Sequence, residues 1–349
     1  YGAQDVYLTG NPQITFFKVV YRRHTNFAVE SILQTFNGNP SFGNIINCTI
    51  SRNGDLINRV YVEFDVNGLA WDGTTTKDAW NNYLGTRLLK NVTLEIGGQQ
   101  VDKHYSEWMY IWNELSLPIG KQSGYQSMVG SDGITLSKKA ANEKTKLYVP
   151  LEFWFCRNIG LALPLIALQY HEVKIKIEFA SISESLNLTT DASGTLSQAV
   201  FSGTAPAFPT CQVWVDYIYL DTDERRKFAQ LSHEYLIEQL QFSGAEEYKT
   251  QLRLNFNHPV KELVWIYNNA NNWEWYKFDV DDANPFTSAH IKLNGNDRFA
   301  KREGKYFDVV QPYQHHTNVP SNPGINVYSF AIKPEEHQPS GTLNMSRID

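Results

Sequence analysis

Residues Ile45–Phe64 read IINCTISRNGDLINRVYVEF. From Arg59 the stretch alternates. Val60, Val62, Phe64 and, just beyond, Val66 fall on one side, and Arg59, Tyr61, Glu63 and Asp65 on the other. A side-chain period of two with one wet face is the pattern of an antiparallel strand packed on one side. The design returns in Lys249–Tyr267 (KTQLRLNFNHPVKELVWIY), where Leu252, Leu254 and Phe256 alternate with Arg253 and Asn255.

Working outward, the echo continues in order. Leu94–Met109 (LEIGGQQVDKHYSEWM) matches Ile291–Phe307 (IKLNGNDRFAKREGKYF), and Phe27–Gly38 matches Tyr235–Gly244. Leu163-Pro164 is paired with Gln338-Pro339. Glu30 and Glu238 lie 208 positions apart, Gly98 and Gly295 197, and Pro164 and Pro339 175. A separation that shrinks along the chain is what shorter loops in a second copy would produce. The period is far too long for a solenoid, so it predicts two duplicated domains.

The first half predicts strands near 26–36, 44–52, 56–66, 87–96, 99–103, 145–156, 171–180 and 211–220, the eight that a jelly roll needs. The second predicts strands near 234–243, 250–257, 260–268, 288–294, 296–300 and 325–333, and one beginning after Thr342. Gly97-Gly98 and Asn294-Gly295 stand where a tight hairpin needs positive φ. The expected fold is all-β: two tandem eight-stranded antiparallel jelly rolls, the second incomplete. An unpaired apolar edge invites aggregation, so completion by residues beyond Asp349 is expected. The layout is an arm over 1–25, a first jelly roll over 26–220, a connector helix over 221–233 and a second jelly roll over 234–349.

Two helices stand out. Trp108, Ile111, Trp112 and Leu115 make an apolar stripe that ends at Pro118 and should pack against the sandwich. Asp221–Leu231 (DTDERRKFAQL) starts with acids and reads as the connector. Gly120–Lys139 and Ser183–Pro209 read as long polar loops.

Composition narrows the function. The 349 residues are 42% hydrophobic and 19% charged, with 9 Trp, 19 Tyr and 19 Phe, which favours sheet and buried interfaces. A net charge of −6 with only short basic clusters (Arg22-Arg23-His24, Arg225-Arg226-Lys227, Lys301-Arg302) argues against direct nucleic-acid binding. Cys48, Cys156 and Cys211 are too scattered for a disulfide framework or a zinc site and predict reduced, partly buried thiols. The most apolar run, Ile159–Leu168, is too short to span a bilayer.

No nucleophile-elbow, zinc-protease, P-loop or dinucleotide signature occurs, so no enzyme, cofactor or metal is expected. His315-His316 reads as a loop pair. Asp279, Asp281 and Asp282 lack the spacing of a calcium loop and read as a solvated turn. Glu172, Glu178 and Asp216 lie on or beside strands with no cleft between them. Of the sequons at Asn47, Asn91, Asn187 and Asn344, only Asn187 falls in an expected loop, making it the candidate glycan acceptor. Trp273-Glu274-Trp275-Tyr276 is the nearest thing to an aromatic sugar platform and keeps a carbohydrate-binding β-sandwich as the alternative function. Tyr1–Thr25 is broken by Gly2, Gly10 and Pro12 yet carries Ile14, Phe16, Phe17, Val19, Val20 and Tyr21, which need another surface to cover them. It reads as an assembly arm.

Tyr1–Ile32 (YGAQDVYLTGNPQITFFKVVYRRHTNFAVESI) resembles the N-terminal signature of major capsid proteins of nucleocytoplasmic large DNA viruses, nearest the algal-virus, chlorovirus-like branch. Ser51–Ile57, Leu94–Tyr105, Gly160–Lys174, Val213–Phe242, Leu293–Phe299 and Gln338–Asp349 (QPSGTLNMSRID) resemble further blocks of that family. The resemblance implies a double jelly roll that forms a homotrimer, a pseudo-hexagonal capsomer tiling an icosahedral shell. It implies as partners neighbouring capsomers, minor capsid proteins and inner-membrane-associated proteins, with no direct nucleic acid. Assembly would occur in the host cytoplasm and the final location would be the virion.

Overall fold

The computed structural model describes residues 26–70, 77–189, 196–198, 206–247, 249–268 and 276–348. Eight of the strands in the first half form its sandwich: β1 (Phe27–Gln34), β2 (Ile45–Thr49), β3 (Leu56–Asn67), β4 (Leu89–Ile96), β5 (Gln99–Tyr105), β6 (Lys144–Pro150), β7 (Val173–Phe179) and β8 (Thr210–Leu220). They pair antiparallel in two sheets, ordered β1-β8-β3-β6 and β2-β7-β4-β5. Only the β4–β5 hairpin keeps consecutive strands in one sheet; every other step crosses over, which is how a jelly roll winds. Its turn needs positive φ, and Gly97 and Gly98 take +61° and +80°.

The alternation in β3 decides what is inside. Val60, Val62, Phe64 and Val66 are almost fully buried, facing Ile175, Ile177 and Phe179 of β7 and Val92 and Leu94 of β4. Phe64 and Phe179 meet across the sandwich at 6.3 Å between ring centroids. Burying each such side chain contributes about 1.5–3 kcal/mol. The outer face carries Tyr61, Trp214 and Tyr148, with Tyr61 stacked on Trp214 at 6.4 Å.

Several expectations are corrected. The expected strand 145–156 stops at Pro150, and Trp154–Arg157 coils into a helical turn that buries Trp154 and Phe155. Gly120–Lys139 is two helices, Ile119–Val129 and Gly133–Lys138, rather than a loop. Gly130 at φ +72° closes the first, and the Asp132 side chain caps the second by accepting from Thr135 N at 2.9 Å. Within the expected loop 183–209, Leu186–Thr189 and Leu196–Gln198 form a small sheet with Lys77–Trp80. The expected helix near the connector is present at Thr222–Gln230, with Asp221 as its cap.

The second half repeats the pairing of the first in miniature. Leu56-Ile57 of β3 pair with Leu163-Pro164, and Pro259-Val260 pair with Leu343-Asn344. Tyr61 of β3 pairs with Pro150 of β6; in the same way Val264 of β9 (Glu262–Trp265) pairs with Val327 of β10 (Asn326–Ser329). A step of 203 residues carries both Leu56 to Pro259 and Tyr61 to Val264. The hairpin returns as Lys292-Leu293 with Asn296-Asp297 around Asn294-Gly295, again at positive φ. By this register the counterpart of Pro164 is Asn344, so the pairing of Leu163-Pro164 with Gln338-Pro339 is five residues out of step.

The expected strands 234–243 and 250–257 carry no ladder among the described residues. Their first-half counterparts are β1 and β2, which pair with β8 and β7. By the same register, these 349 residues supply no counterpart of β7 or β8. An alternating sequence becomes a strand only when a neighbour takes its hydrogen bonds. No helix among the described residues is long and apolar enough to cross a membrane.

Candidate assembly surfaces

The helix α1 (Ser106–Ser116) joins the two halves. Met109 points into the first core, while Tyr110, Ile111 and Leu115 are buried against Tyr276, Phe278, Ile325 and Val327 of the second half. Tyr110 stacks on Tyr276 at 4.4 Å and 7°, and Tyr83 meets both rings edge-on. Asn318 closes the end of the helix: its N–H donates to Leu115 O and its Nδ2 to Glu114 O, each at 2.9 Å. These are carbonyls that a helix terminus leaves without an internal partner. Burial pushes the Tyr110 hydroxyl up, with Glu114 adding to it, and burial likewise raises the Glu114 carboxyl. Both shifts favour uncharged side chains in the seam.

The segment after the connector makes a second, polar seam. Gln239 Nε2 donates to Val101 O at 2.5 Å, Leu240 N to Asp102 Oδ1 at 3.1 Å, and Phe242 packs on Tyr105. Glu238 receives Arg157 at 2.8 Å and also Lys261, while the Arg157 guanidinium lies over Trp112, 4.7 Å from the ring centroid. Behind it Glu152 is raised by burial, an effect that the Arg157 charge offsets in part.

A third cluster ties the second half to itself. His316 Nε2 and Nδ1 each lie 2.9 Å from a carboxylate, Glu262 on β9 and Glu335 in a distant loop. Burial pulls the imidazole down, but the two carboxylates outweigh it and hold the pKa up at about 9. His315 turns away to Ile332 O at 2.9 Å. The expected loop pair is thus the end of a helix, Gln311–His315, and its two rings do different work.

Other residues singled out in the sequence are placed as follows. Asn187 is a correction: it is 3% exposed on the strand Leu186–Thr189, paired with Ala79 and Gln198, so a glycan there would have to displace the sheet. Asp279 is buried and accepts from Asp282 N at 3.0 Å, and Lys277 lies within 4.0 Å of both carboxylates. Among the described residues no three His, Cys, Asp or Glu side chains gather as a metal site. Glu178 accepts from Asn91 Nδ2 at 2.7 Å, and Glu172 pairs with Lys174 at 2.8 Å. Tyr276 is buried under Tyr110, out of reach of a sugar, and Trp273–Trp275 lie outside the described residues, as do Ile14, Phe16, Phe17, Val19, Val20 and Tyr21. The three cysteines are unbridged, and burial pushes Cys48 up to about 11 and Cys211 up to about 12.

Sequence reasoning missed the bridging role of α1. The signal was present: Trp108–Trp112 (WMYIW) is apolar all round rather than on one face, the mark of a helix covered on both sides.

The comparisons agree with one another. The family described as the major capsid protein N-terminus matches residues 15–221, and that described as the large eukaryotic DNA virus major capsid protein matches residues 224–349. A major capsid protein of Pyramimonas orientalis virus is 51% identical over all of this chain and 88% of its own length. That of Paramecium bursaria Chlorella virus 1 is 46% identical over all of this chain and 84% of its own. Among solved structures, a quasi-atomic model of the PBCV-1 virus capsid matches with TM-score 0.78 at 43% identity, covering 96% of this chain and 85% of the other. The Faustovirus major capsid protein matches with TM-score 0.73 at 15% identity, covering 99% and 89%, which speaks for the fold alone.

Proposed function

The chain belongs to the major capsid protein family of large eukaryotic DNA viruses, and from that premise we propose that three copies close into a pseudo-hexagonal capsomer that tiles an icosahedral shell. Its role is structural and its place is the virion capsid. The observation that carries the trimer is the repeat of the strand pairing: β3 with β6 in the first half, β9 with β10 in the second. Two like bodies per chain give six per trimer, so threefold symmetry yields a near-sixfold outline. Each body is read as one jelly roll of a tandem pair, with 234–243 and 250–257 in the places of β1 and β2.

Tyr1–Thr25 is read as an assembly arm that meets neighbouring or minor capsid proteins at the inner face of the shell, through Ile14, Phe16, Phe17, Val19, Val20 and Tyr21. The subunit is read as having no catalytic activity and no required metal or cofactor. Native mass spectrometry with images of the purified protein tests the capsomer. A threefold particle with a hexagonal outline is expected, and a stable monomer or dimer at all concentrations would overturn it. Deleting Tyr1–Phe17 should leave the trimer folded and impair shell assembly.

A further inference from the structure

The repeat makes an assignment at residue level. Inside one chain, α1 of the first half lies on the outer face of the β9–β10 pair, burying Ile111 and Leu115 against Val264, Ile325 and Val327. Each partner in this contact has a counterpart in the other half.

The helix is one. It follows the first hairpin as the helical segment Tyr306–His315, a π turn and then an α turn, follows the second. Met109 buried in the first core has Phe307 as its counterpart, fully buried against Trp265 in the second core, 198 positions on. The same step carries Ile111 to Val309 and Leu115 to Tyr313. These two are 39% and 77% exposed, and Ile332, whose carbonyl meets His315 at the end of the helix, is 69% exposed. Tyr110 maps to the buried Asp308, but among the described residues the places of Ile111 and Leu115 are left open in the second half.

The receiving sheet is the other. Val264 takes the place of Tyr61, and Val327 and Ile325 take the places of Pro150 and Tyr148. In the first half this outer face holds Tyr61, Tyr148 and Trp214, all part-exposed, with Leu33 45% exposed at its edge. The helix Thr222–Gln230 covers only the far end, where Phe228 packs at Ile218.

We infer that the exposed helix residues Val309 and Tyr313 of one copy dock on the Tyr61–Tyr148–Trp214 face of the next, repeating between chains the contact that α1 makes within each chain. The occupant is a second copy because both halves of the contact already exist, joined, inside the chain. The donor and acceptor faces differ, so the contact is heterologous and runs head to tail, closing when the rotation per copy returns to the start. Aromatic side chains at both faces suit a subunit interface. This rests on the trimer reading above.

The test separates the two. Wild-type chain is weighed by native mass spectrometry beside Val309→Asp/Tyr313→Asp and Tyr148→Arg, with thermal melting as the fold control. A trimeric wild type, with both variants folded and their subunit dissociation constant raised about a hundredfold, is the expected result. A wild type that never trimerises overturns the trimer reading. A trimeric wild type whose variants remain equally trimeric overturns this assignment alone. Cysteine pairing covers the case in which a variant fails to fold. Tyr313→Cys and Tyr148→Cys chains, mixed and oxidised, should give a cross-linked dimer that neither gives alone. Cross-linking of Tyr148→Cys with itself, or none in the mixture, would overturn the docking.

Discussion

At Tyr61 and Tyr148 the first half shows aromatic rings on its outer sheet face; at the matching places of the second half, Val264 and Ile325 lie under α1. The inner faces differ as well. The first half buries a continuous apolar cluster between a five-stranded and a four-stranded sheet, whereas among the described residues the second pairs its strands two at a time. The same winding therefore yields a body that stands by itself and one that leans on its neighbour. A repeated pattern sets which residues face inward, but the number of ladder partners sets how much order that pattern can hold.

The sharpest way to break this comparison is to separate the halves. Residues 26–230 alone should keep cooperative urea unfolding and near-ultraviolet circular dichroism, and residues 231–349 alone should lose both. A cooperative transition in the second fragment would refute the dependence.

Within the intact chain, Phe64→Ala should cost about 3–5 kcal/mol by chemical denaturation and lower protection throughout the first half. Tyr110→Ala should cost about 3 kcal/mol, with hydrogen exchange rising chiefly over 276–329, because it empties the seam rather than the first core.

Mild alkali should act first on the second half. The folded pKa of His316, about 9, lies above the ordinary histidine value of 6.5. Its contribution is complete below pH 6.5 and is lost as pH rises through 9, roughly 3 kcal/mol in all. Urea midpoints followed by a probe in each half between pH 6 and about 8.5, below the range in which the buried thiols of Cys48 and Cys211 begin to weaken the first half, should fall for the second only, and His316→Gln should flatten the slope.

The two hairpins give a matched pair. Gly98 and Gly295 stand at φ +80° and +76° with open space around them. Alanine at either should cost about 1 kcal/mol from backbone conformation alone. At the small end, Leu252→Ser and Leu254→Ser, exposed and outside any ladder, should shift stability by less than about 0.5 kcal/mol.

The legibility of the chain follows the same division. β3 could be read residue by residue, since Val60, Val62, Phe64 and Val66 alternate and all point inward. The helix near 119–129 could not, because Gly120, Gly124 and a scatter of polar residues hide its period. Asn187 looked like a loop residue because its strand is short and its neighbours polar, while the strands that pair with it, at Ala79 and Gln198, come from elsewhere in the chain. The seam was half legible: the all-round apolar run in α1 announces two coverings but not what the second covering is.

By itself the sequence determined the strand alternation, the duplication, the positive-φ turns and the family, since each is carried by short-range pattern or by aligned residues. The tertiary structure alone decided that α1 belongs to both halves, that His316 sits between Glu262 and Glu335, and that 234–243 and 250–257 have no ladder among the described residues. Those outcomes depend on which distant segments meet, and Glu262, His316 and Glu335 are separated by 54 and 19 positions in a chain that gives no local sign of their meeting. Local propensity chooses the face of a strand; only the packed chain supplies the partner that the face must meet.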